Sequence, residues 1–562
     1  MAMKTSRIVL IVFLLLVGIV VVLSQLGQRV ADKTVLRLEV QGPVAEEDWP
    51  DFSARFWEGD VVVFRKLLEG LERAKNDPKI AGVSLEVKSV GMGFAQIQEL
   101  RTKLAELTAA GKFCTTYLEQ ADNRGYYLAT ACPEIYMTPT NSVFLTGLMS
   151  HSTFLRGTLD KLHIYPDMHS IAEYKTARNQ LTEKKYTEAH REVVVSLLTA
   201  WQQQIVDGIA KGRSLQPAEV DAIIRSGPYL DKEAVEKKLI DKLVFYDEYK
   251  DILKQKAGVE ELKTIKLSEY LDRTSPPFGG AKIALVHASG LIVPGKSGYD
   301  PSVGRYMGSD TVAADLRAAA EDDSIKAIVF RVDSGGGSAL ASEIIRREVV
   351  RAKAKKPVVV SMSNVAGSGG YWIAMSANKI VADPGTITGS IGVVVGKLNV
   401  KGFYDMIGMT SDHVALSPNS TFFYTFENFT PAQLERLNAM MQDVYDNFLK
   451  GVSEGRGISK EEVHRIARGR VWLGSQAKDL KLVDEVGGLD RSVAIAKELA
   501  QIPADQPVQF EIYPREKTPF EQLTEAFSAR TEGVMTHVRN PRWIQLLREP
   551  GLVVVPFEVD PR

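Results

Sequence analysis

The chain has 562 residues, more than one hydrophobic core usually accommodates, so several domains are expected. Hydrophobic residues make up 45% and charged residues 25%, a balance that excludes a disordered chain, a collagen and a protein with many membrane spans. The 69 Lys and Arg nearly balance the 70 Asp and Glu, so no positive field favours nucleic acid as a partner.

The amino-terminal segment has the features of a membrane anchor. Residues 8–26 carry no charge, are mostly apolar and follow Lys4 and Arg7. Such a run spans about 28 Å as a helix, close to the roughly 30 Å hydrocarbon core of a bilayer. Because no clear cleavage site follows, we predict one uncleaved transmembrane helix, with the remaining chain on the extracytoplasmic side. A cleaved secretory signal is the alternative.

The cysteine content is low. Cys114 and Cys132 are the two cysteines, which excludes a disulfide-rich scaffold and a cysteine-rich metal site. We interpret them as two buried thiols. A single bridge stays open, because the sequence does not fix the distance between them.

An internal repeat with a period near 245 residues organises most of the chain. Both copies alternate β-branched segments with helical ones, which predicts βαβ units around a largely parallel sheet, an α/β fold. In the second copy we predict strands at 329–332 and 357–362 and a helix at 339–353. Three pairs of segments match in the same order: 77–87 with 323–332, 125–135 with 370–380, and 233–243 with 476–486.

The repeat predicts the domain organisation. A linker rich in Pro and Gly separates the copies, and the similarity ends near residue 500. In the tail beyond it, residues 521–548 favour one or two amphipathic helices and residues 551–559 a strand, and we assign the tail no chemistry. The predicted units are an anchor at 1–30, a first repeat at 31–272, a linker at 273–281, a second repeat at 282–500 and a tail at 501–562.

Two glycine-rich turns follow predicted strands of the second repeat. VDSGGGS at 332–338 has three consecutive glycines whose amides could bind an anionic oxygen. In NVAGSGGYW at 364–372, Ser368 stands among small residues directly before a helix, as in a nucleophile turn, and the Gly369 amide would be one oxyanion donor. Neither turn has the spacing of a phosphate-binding loop. Each is also typical of a plain tight connection.

The two copies differ at the positions that could carry chemistry. The 245-residue shift places Asn123 opposite Ser368, and Lys175 opposite Ser420. The first copy therefore lacks the serine but contains the lysine. A lysine can take a serine proton only where burial lowers its pKa towards neutrality. From the residues alone, the favoured interpretation of Lys175 is a solvated helix lysine that pairs with Glu173 or Glu183.

Four motifs resemble those of the signal peptide peptidase A family, the bacterial membrane-anchored serine–lysine proteases, in its long tandem form. They are VDSGGGSALASEI, VAGSGGYWIA and TGSIGV in the second repeat and EYKTA in the first. The resemblance implies tandem Clp-protease and crotonase-like repeats, with Ser368 as nucleophile and Lys175 as general base. It also implies the Gly336 and Gly369 amides as oxyanion donors, Ser390 as the serine that holds the lysine, and neither a metal nor an organic cofactor.

The same resemblance implies partners and location. The substrates would be cleaved signal peptides and other apolar peptides. The protein would be a homotetramer whose N-terminal anchors contact the lipid of the bacterial inner membrane. Asp333 and Gly335 replace the Asn and Pro usual in the family, and Gly367 replaces a common Ala. These departures bear on substrate preference more than on the serine and lysine.

Other functions use the same features. A crotonase-type acyl-CoA enzyme would direct glycine amides at a thioester enolate, and a non-catalytic anchored scaffold would bind peptides without cleaving them. A Ser–His–Asp triad with His287 or His413 is open on geometry, although no histidine lies in a recognisable motif.

Overall fold

The computed structural model describes residues 30–48, 61–119, 121–275, 279–300, 303–515 and 552–554. The predicted transmembrane run at 8–26 and the helices predicted at 521–548 lie outside these ranges. Among the helices within them, none combines the length and the apolar character needed to cross a membrane.

The first half of the chain contains eleven strands and ten α-helices among its described residues. The strands are β1 Thr34–Val40, β2 Val44–Ala45, β3 Val62–Val63, β4 Ile80–Val87, β5 Phe113–Leu118, β6 Glu134–Met137, β7 Ser142–Val143, β8 Tyr165–Ser170, β9 Tyr229–Leu230, β10 Lys242–Leu243 and β11 Thr264–Lys266. The helices are α1 Phe64–Asn76, α2 Phe94–Ala109, α3 Asn123–Ala129, α4 Arg156–Lys161, α5 Asn179–Thr182, α6 Glu188–Arg213, α7 Pro217–Ser226, α8 Asp231–Glu236, α9 Tyr246–Ala257 and α10 Leu267–Arg273.

The second half contains fourteen strands and eight α-helices among its described residues. The strands are β12 Ala281–Ser289, β13 Leu291–Val293, β14 Gly298–Asp300, β15 Gly304–Gly308, β16 Ile325–Ser334, β17 Gly336–Ser338, β18 Val358–Gly367, β19 Lys379–Ala382, β20 Ile387–Gly389, β21 Val394–Asn399, β22 Val471–Leu473, β23 Glu485–Val486, β24 Val508–Tyr513 and β25 Leu552–Val554. The helices are α11 Ser309–Glu321, α12 Ala339–Lys353, α13 Gly369–Ala374, α14 Lys401–Met406, α15 Pro431–Arg456, α16 Lys460–Ile466, α17 Gly474–Asp479 and α18 Leu489–Leu499.

Each half builds a sheet in which six parallel strands follow the same order. In the first half the order is β10-β6-β5-β4-β1-β11, and every neighbouring pair is parallel. In the second half β23-β19-β18-β16-β12-β24 takes the corresponding places. This sheet has two further strands: β20 pairs parallel with the end of β18, and β22 pairs antiparallel with β20. The repeat seen in the sequence is thus a repeat of topology. Since β24 pairs with β12, the second sheet extends past residue 500, where the sequence similarity ends.

The central strands are apolar because helices cover both faces of each sheet. Strand β4 reads IAGVSLEV, and seven of its eight residues are buried, as expected for a strand inside a parallel sheet. Helix α1 buries Leu67, Leu68 and Leu71 on one face, the spacing by which an amphipathic helix packs on a sheet. Local sequence pattern and layer position therefore agree.

A third sheet joins the two halves. Its order is β14-β15-β13-β17-β25-β21-β8, and β8 of the first half pairs antiparallel with β21 of the second. The six paired residues of β8 run from Tyr165 to Ser170. Because the chain continues from β8 towards Lys175, this pairing brings a first-half segment beside the second-half turns.

A buried ion cluster also crosses between the halves. The guanidinium of Arg331, on β16, lies 2.8 Å from a carboxylate oxygen of Glu46 and 2.6 Å from one of Glu99. All three side chains are almost fully buried. Removing one member of such a cluster leaves a buried charge without its partner, so the cluster favours one docking geometry of the two halves.

Cys114 and Cys132 are both buried and are joined by a disulfide, so the interpretation as two free thiols is wrong. The physical reason is the βαβ path: β5 and β6 are neighbours in the sheet, and the intervening helix α3 returns the chain. Their Cα atoms lie 5.0 Å apart, within bridging range.

Candidate active site

Ser368 lies in the tight turn between β18 and α13 with φ 55° and ψ −115°. A positive φ is unfavourable for a residue with a Cβ atom and persists only where neighbouring contacts impose it. Here the Ser368 N–H donates to the Gly389 carbonyl at 2.8 Å, and the Ser368 carbonyl accepts from the Trp372 N–H at 2.8 Å. Ser368 therefore stands in a tight turn between a strand and a helix, as the sequence predicts.

Lys175 reaches this turn from the first half of the chain. Its Nζ lies 2.6 Å from Ser368 Oγ and 3.0 Å from both the carbonyl oxygen and Oγ of Ser390. Lys175 is 1% exposed, and Ser368 and Ser390 are fully buried. The structure thus brings together three of the five predicted site residues in one closed contact.

Burial lowers the pKa of Lys175 well below its ordinary value because an ammonium ion loses its hydration there. Burial is the only cause of this lowering, and no carboxylate among the described residues contributes to it. If the amine loses its proton, two N–H groups can still donate to Ser390 O and Oγ, and the lone pair is left to face the Ser368 hydroxyl.

The two predicted oxyanion residues, Gly336 and Gly369, lie against each other through their backbones. A Cβ atom on Gly369 would lie 3.1 Å from the Gly336 Cα and 2.7 Å from Ser342 Oγ, so glycine is what allows this approach. The Gly336 N–H donates to Ser334 Oγ at 3.1 Å. Its service as an oxyanion donor therefore requires that this hydrogen bond be shared or exchanged.

Sequence analysis did not identify the segment that holds Lys175 and Ser390 in place. The Ser390 N–H donates to the Arg470 carbonyl at 2.8 Å, and the neighbouring Gly469 N–H donates to the Ile391 carbonyl at 2.8 Å. Gly469 also packs against the backbone of Lys175. One short second-half loop therefore contacts both the lysine and the serine that binds it.

Two ion pairs connect the same loop to the first half. Arg468 pairs with Glu173, and Arg470 pairs with Glu192. In the sequence the signal for this loop is a glycine between two arginines, ARGRVW at 467–472. A glycine between two arginines is also typical of a solvated surface loop, so the sequence alone does not single this loop out.

The corresponding turn of the first half is closed by a side chain. Asn123 Oδ1 accepts from the N–H groups of Thr146 and Gly147 at 3.0 and 3.1 Å, and its Nδ2 donates to the Gly147 carbonyl at 2.9 Å. An amide in this role holds the backbone and offers no nucleophile. The difference between the copies at this position is therefore both chemical and structural.

No histidine joins the site within the described residues. His287 is buried on β12, and neither of its ring nitrogens has a hydrogen-bond partner. His413 is exposed and packs its ring on Tyr424, with 4.8 Å between centroids. The triad left open by the sequence is not assembled in the structure.

A serine hydroxyl bonded to a buried amine of lowered pKa, beside two glycines in backbone contact, has the make-up of a serine hydrolase site. The comparisons define the group more closely: the chain belongs to peptidase family S49, whose profile matches residues 106–260 and 350–503. The two matches fall in the two halves of the chain.

The curated relatives agree with this assignment. The chain is 31% identical to "Serine protease SPPA, chloroplastic" of Arabidopsis thaliana, over 90% of this chain and 75% of that protein. It is 32% identical to "Protease 4" of Salmonella typhi and 33% identical to "Protease 4" of Haemophilus influenzae. Each match covers 78% of this chain, and 72% and 73% of those proteins.

These findings confirm the predicted family and the predicted enzyme class: the protein is a serine protease, a hydrolase with two S49 domains in a mixed α/β fold. A solved ClpP1 mutant from Listeria monocytogenes covers 37% of this chain and 94% of its own, with 15% identity and a TM-score of 0.24. The finer expectation, tandem Clp-protease and crotonase-like repeats, stays a prediction.

Proposed function

We propose that this protein is a membrane-anchored endopeptidase in which Ser368 is the nucleophile and Lys175 the general base. The observation that carries the proposal is the 2.6 Å contact between Lys175 Nζ and Ser368 Oγ in a buried setting. A serine hydroxyl becomes an effective nucleophile only when a base removes its proton during attack. A lysine kept neutral by burial meets that requirement without a third residue.

In the acylation step, Lys175 takes the hydroxyl proton while Ser368 Oγ attacks the scissile carbonyl. The resulting tetrahedral oxyanion faces the Gly336 and Gly369 amides, and loss of one such donor typically costs about 3–4 kcal/mol of barrier. Lys175 then protonates the leaving amine, and an acyl-enzyme on Ser368 remains. Lys175, again neutral, then activates a water molecule that hydrolyses the acyl-enzyme and regenerates the Ser368 hydroxyl.

Ser390 positions the base in this proposal. Both its carbonyl and its hydroxyl accept hydrogen bonds from Lys175 Nζ, and these fix the direction of the amine lone pair. With its two N–H groups engaged, the amine presents that lone pair to Ser368. Ser390 thus acts through the lysine rather than on the substrate.

We propose apolar peptides, including cleaved signal peptides, as the substrates. The uncharged run at 8–26 would hold the protease beside the bilayer in which such peptides remain. The location proposed is the bacterial inner membrane, with a single span and the protease domains on the extracytoplasmic side. The disulfide between Cys114 and Cys132 supports export, because disulfides persist mainly in oxidising compartments.

A homotetramer remains our proposal for the assembled protein. Support comes from a surface segment that exposes three apolar side chains: Met409, Val414 and Leu416 are 48%, 93% and 98% exposed. Such a segment on a soluble domain usually marks a contact surface. Sedimentation of the detergent-purified chain measures the oligomer number directly, and a monomer at micromolar concentration would contradict the proposal.

The direct test combines activity and labelling. Ser368→Ala and Lys175→Ala should each lower the kcat/KM for an apolar fluorogenic peptide by about 10³-fold or more, because the two residues act as one unit. Lys161→Ala, which changes an exposed lysine, is the matched control and should keep full activity. A fluorophosphonate probe should label the parent chain at Ser368 and fail to label Ser368→Ala.

Full activity in either dyad variant would contradict the proposed mechanism. Tight CoA binding without peptide cleavage would favour an acyl-CoA enzyme instead. Peptide binding with neither cleavage nor labelling would favour a scaffold.

A further inference from the structure

Strand β25, Leu552–Val554, lies between β17 and β21 in the third sheet. Among the described strands, only β25 pairs with both of them. On one side it pairs antiparallel with β17, where Gly336, Gly337 and Ser338 face Val554, Val553 and Leu552. On the other side it pairs antiparallel with β21, where Val394 faces Leu552. Within the described residues, removing β25 would leave a slot one strand wide with a strand edge on each side.

This slot borders the candidate active site. Gly336 forms one wall, and it contacts Gly369, the residue after Ser368. Val394, on the other wall, lies four residues after Ser390. Unpaired strand edges bind extended peptides through main-chain hydrogen bonds, and such binding does not depend on one exact side-chain sequence. The slot is therefore built to receive a peptide strand beside the nucleophile.

The main chain of β25 reaches the predicted oxyanion residue. It runs antiparallel to β17, and its last paired residue, Val554, faces Gly336. The segment reads GLVVV at 551–555, which has the apolar character of the proposed substrates. Ser368 is fully buried, so a substrate can reach it only after some element moves.

We propose that residues 552–554 occupy the peptide-binding slot as a substrate-like strand and compete with peptide substrates for it. The occupant is this chain's own segment, since the pairing on both sides of β25 is made within the chain. Tethering raises its local concentration relative to a free peptide. The role of the strand as a competitor rests on the proposed function, whereas its occupancy of the slot can be measured without catalysis.

The experiment measures peptide binding in the Ser368→Ala background, where cleavage does not interfere. The probe is a fluorescein-labelled peptide with the sequence of residues 550–555, PGLVVV, and its Kd is read by anisotropy. Val553→Pro removes a main-chain N–H from a strand with neighbours on both sides and should expel the segment. If the segment fills the slot nine-tenths of the time, expelling it should lower the Kd about tenfold.

A chain shortened after Glu549 provides a second variant that does not depend on how proline is tolerated, and it should show the same fall in Kd. Val559→Pro makes the same substitution outside the strand and should leave the Kd unchanged. Equal Kd values for the parent and both strand variants would overturn the inference, as would failure of the probe to bind the shortened chain. If Ser368→Ala still cleaves peptides while the Kd falls as expected, the proposed nucleophile is wrong but the slot assignment stands.

Discussion

The backbone of Gly469 lies against the backbone of Lys175 so closely that no side chain fits between them. A Cβ atom on Gly469 would come within 2.4 Å of the backbone nitrogen of Lys175 and 2.5 Å of its Cα. Gly469 also has φ 81°, a conformation that residues with a Cβ atom adopt only at a cost. The loop of the second half therefore fixes where the base of the first half can stand.

Gly469→Ala should displace Lys175 from Ser368 and lower kcat/KM at least about tenfold, since small misplacements of a catalytic group are costly. The matched control is Gly457→Ala. Gly457 has a similar φ of 67°, but a Cβ there meets no atom within 4 Å. Steady-state kinetics on both variants separate the effect of backbone strain from that of contact with the lysine, and equal losses would refute the contact argument.

The pH dependence of activity should follow the protonation of Lys175. Burial lowers the pKa of this lysine, so kcat/KM should rise as the amine loses its proton. The rise should end well below the ordinary lysine pKa of about 10.4. Below the lowered pKa the ammonium cannot accept the Ser368 proton, and activity should be small. A profile of kcat/KM that is flat from about pH 5 to 9 would count against a titrating lysine.

The free energy of unfolding should also depend on pH through Lys175, and it should increase as pH rises. A lysine whose folded pKa is depressed binds fewer protons in the folded state than in the unfolded state, so its effect is to make the protein more stable as pH rises between the two pKa values. Lys175→Met removes the cost of burying the amine and should flatten this part of the stability profile. Denaturant unfolding across pH tests it, and an unchanged slope in Lys175→Met would contradict the assignment.

Ser390→Ala should lower kcat by about tenfold, the effect of losing one hydrogen bond of about 1–1.5 kcal/mol that orients the amine. The Ser390 hydroxyl accepts from Lys175 Nζ at 3.0 Å, and an acceptor favours the charged form of a donor. Its loss should therefore also move the midpoint of the pH profile to lower pH. Ser420→Ala, an exposed serine, is the control, and a loss of kcat without any change in the pH profile would indicate a merely structural role.

The sequence predicts regular elements well where the local pattern decides them. The helix expected at 339–353 has those bounds in the structure, because a serine at its start accepts from the Ala341 N–H and apolar residues repeat along one face. The repeat likewise predicts βαβ units around a largely parallel sheet in each half, and six strands of each sheet follow one order. The strand expected at 357–362 is longer in the structure and runs from Val358 to Gly367. It ends there because the tight turn at Ser368 follows.

Contacts between distant segments could not be predicted from local pattern. Lys175 and Ser368 are 193 positions apart, and the residues alone left the lysine readable as a surface side chain. Their pairing was expected only from the family resemblance. The disulfide and the loop at Gly469 depend likewise on which segments the fold brings together, which a single sequence without a family precedent does not state.

Asp333, which stands where the family usually has asparagine, should weaken the fold at alkaline pH. Its side chain accepts the Val365 N–H at 3.0 Å, and burial together with the nearby Glu46 carboxylate raises the pKa of Asp333 to about 7. A carboxyl whose folded pKa is raised binds more protons when folded, so its contribution is most favourable below the unfolded pKa and declines as pH rises towards about 7.

Asp333→Asn keeps an oxygen that can accept the Val365 N–H but cannot ionise. It should therefore raise the free energy of unfolding by about 1–2 kcal/mol at alkaline pH, where the parent carboxylate is charged, and by less in acid. Denaturant unfolding at about pH 5 and pH 8, on either side of the raised pKa, measures the difference. Asp323→Asn, which changes an exposed aspartate before the start of β16, should give the same small change at both pH values. If Asp333→Asn behaves like that control, the Asp333 carboxyl is not the source of the alkaline weakening.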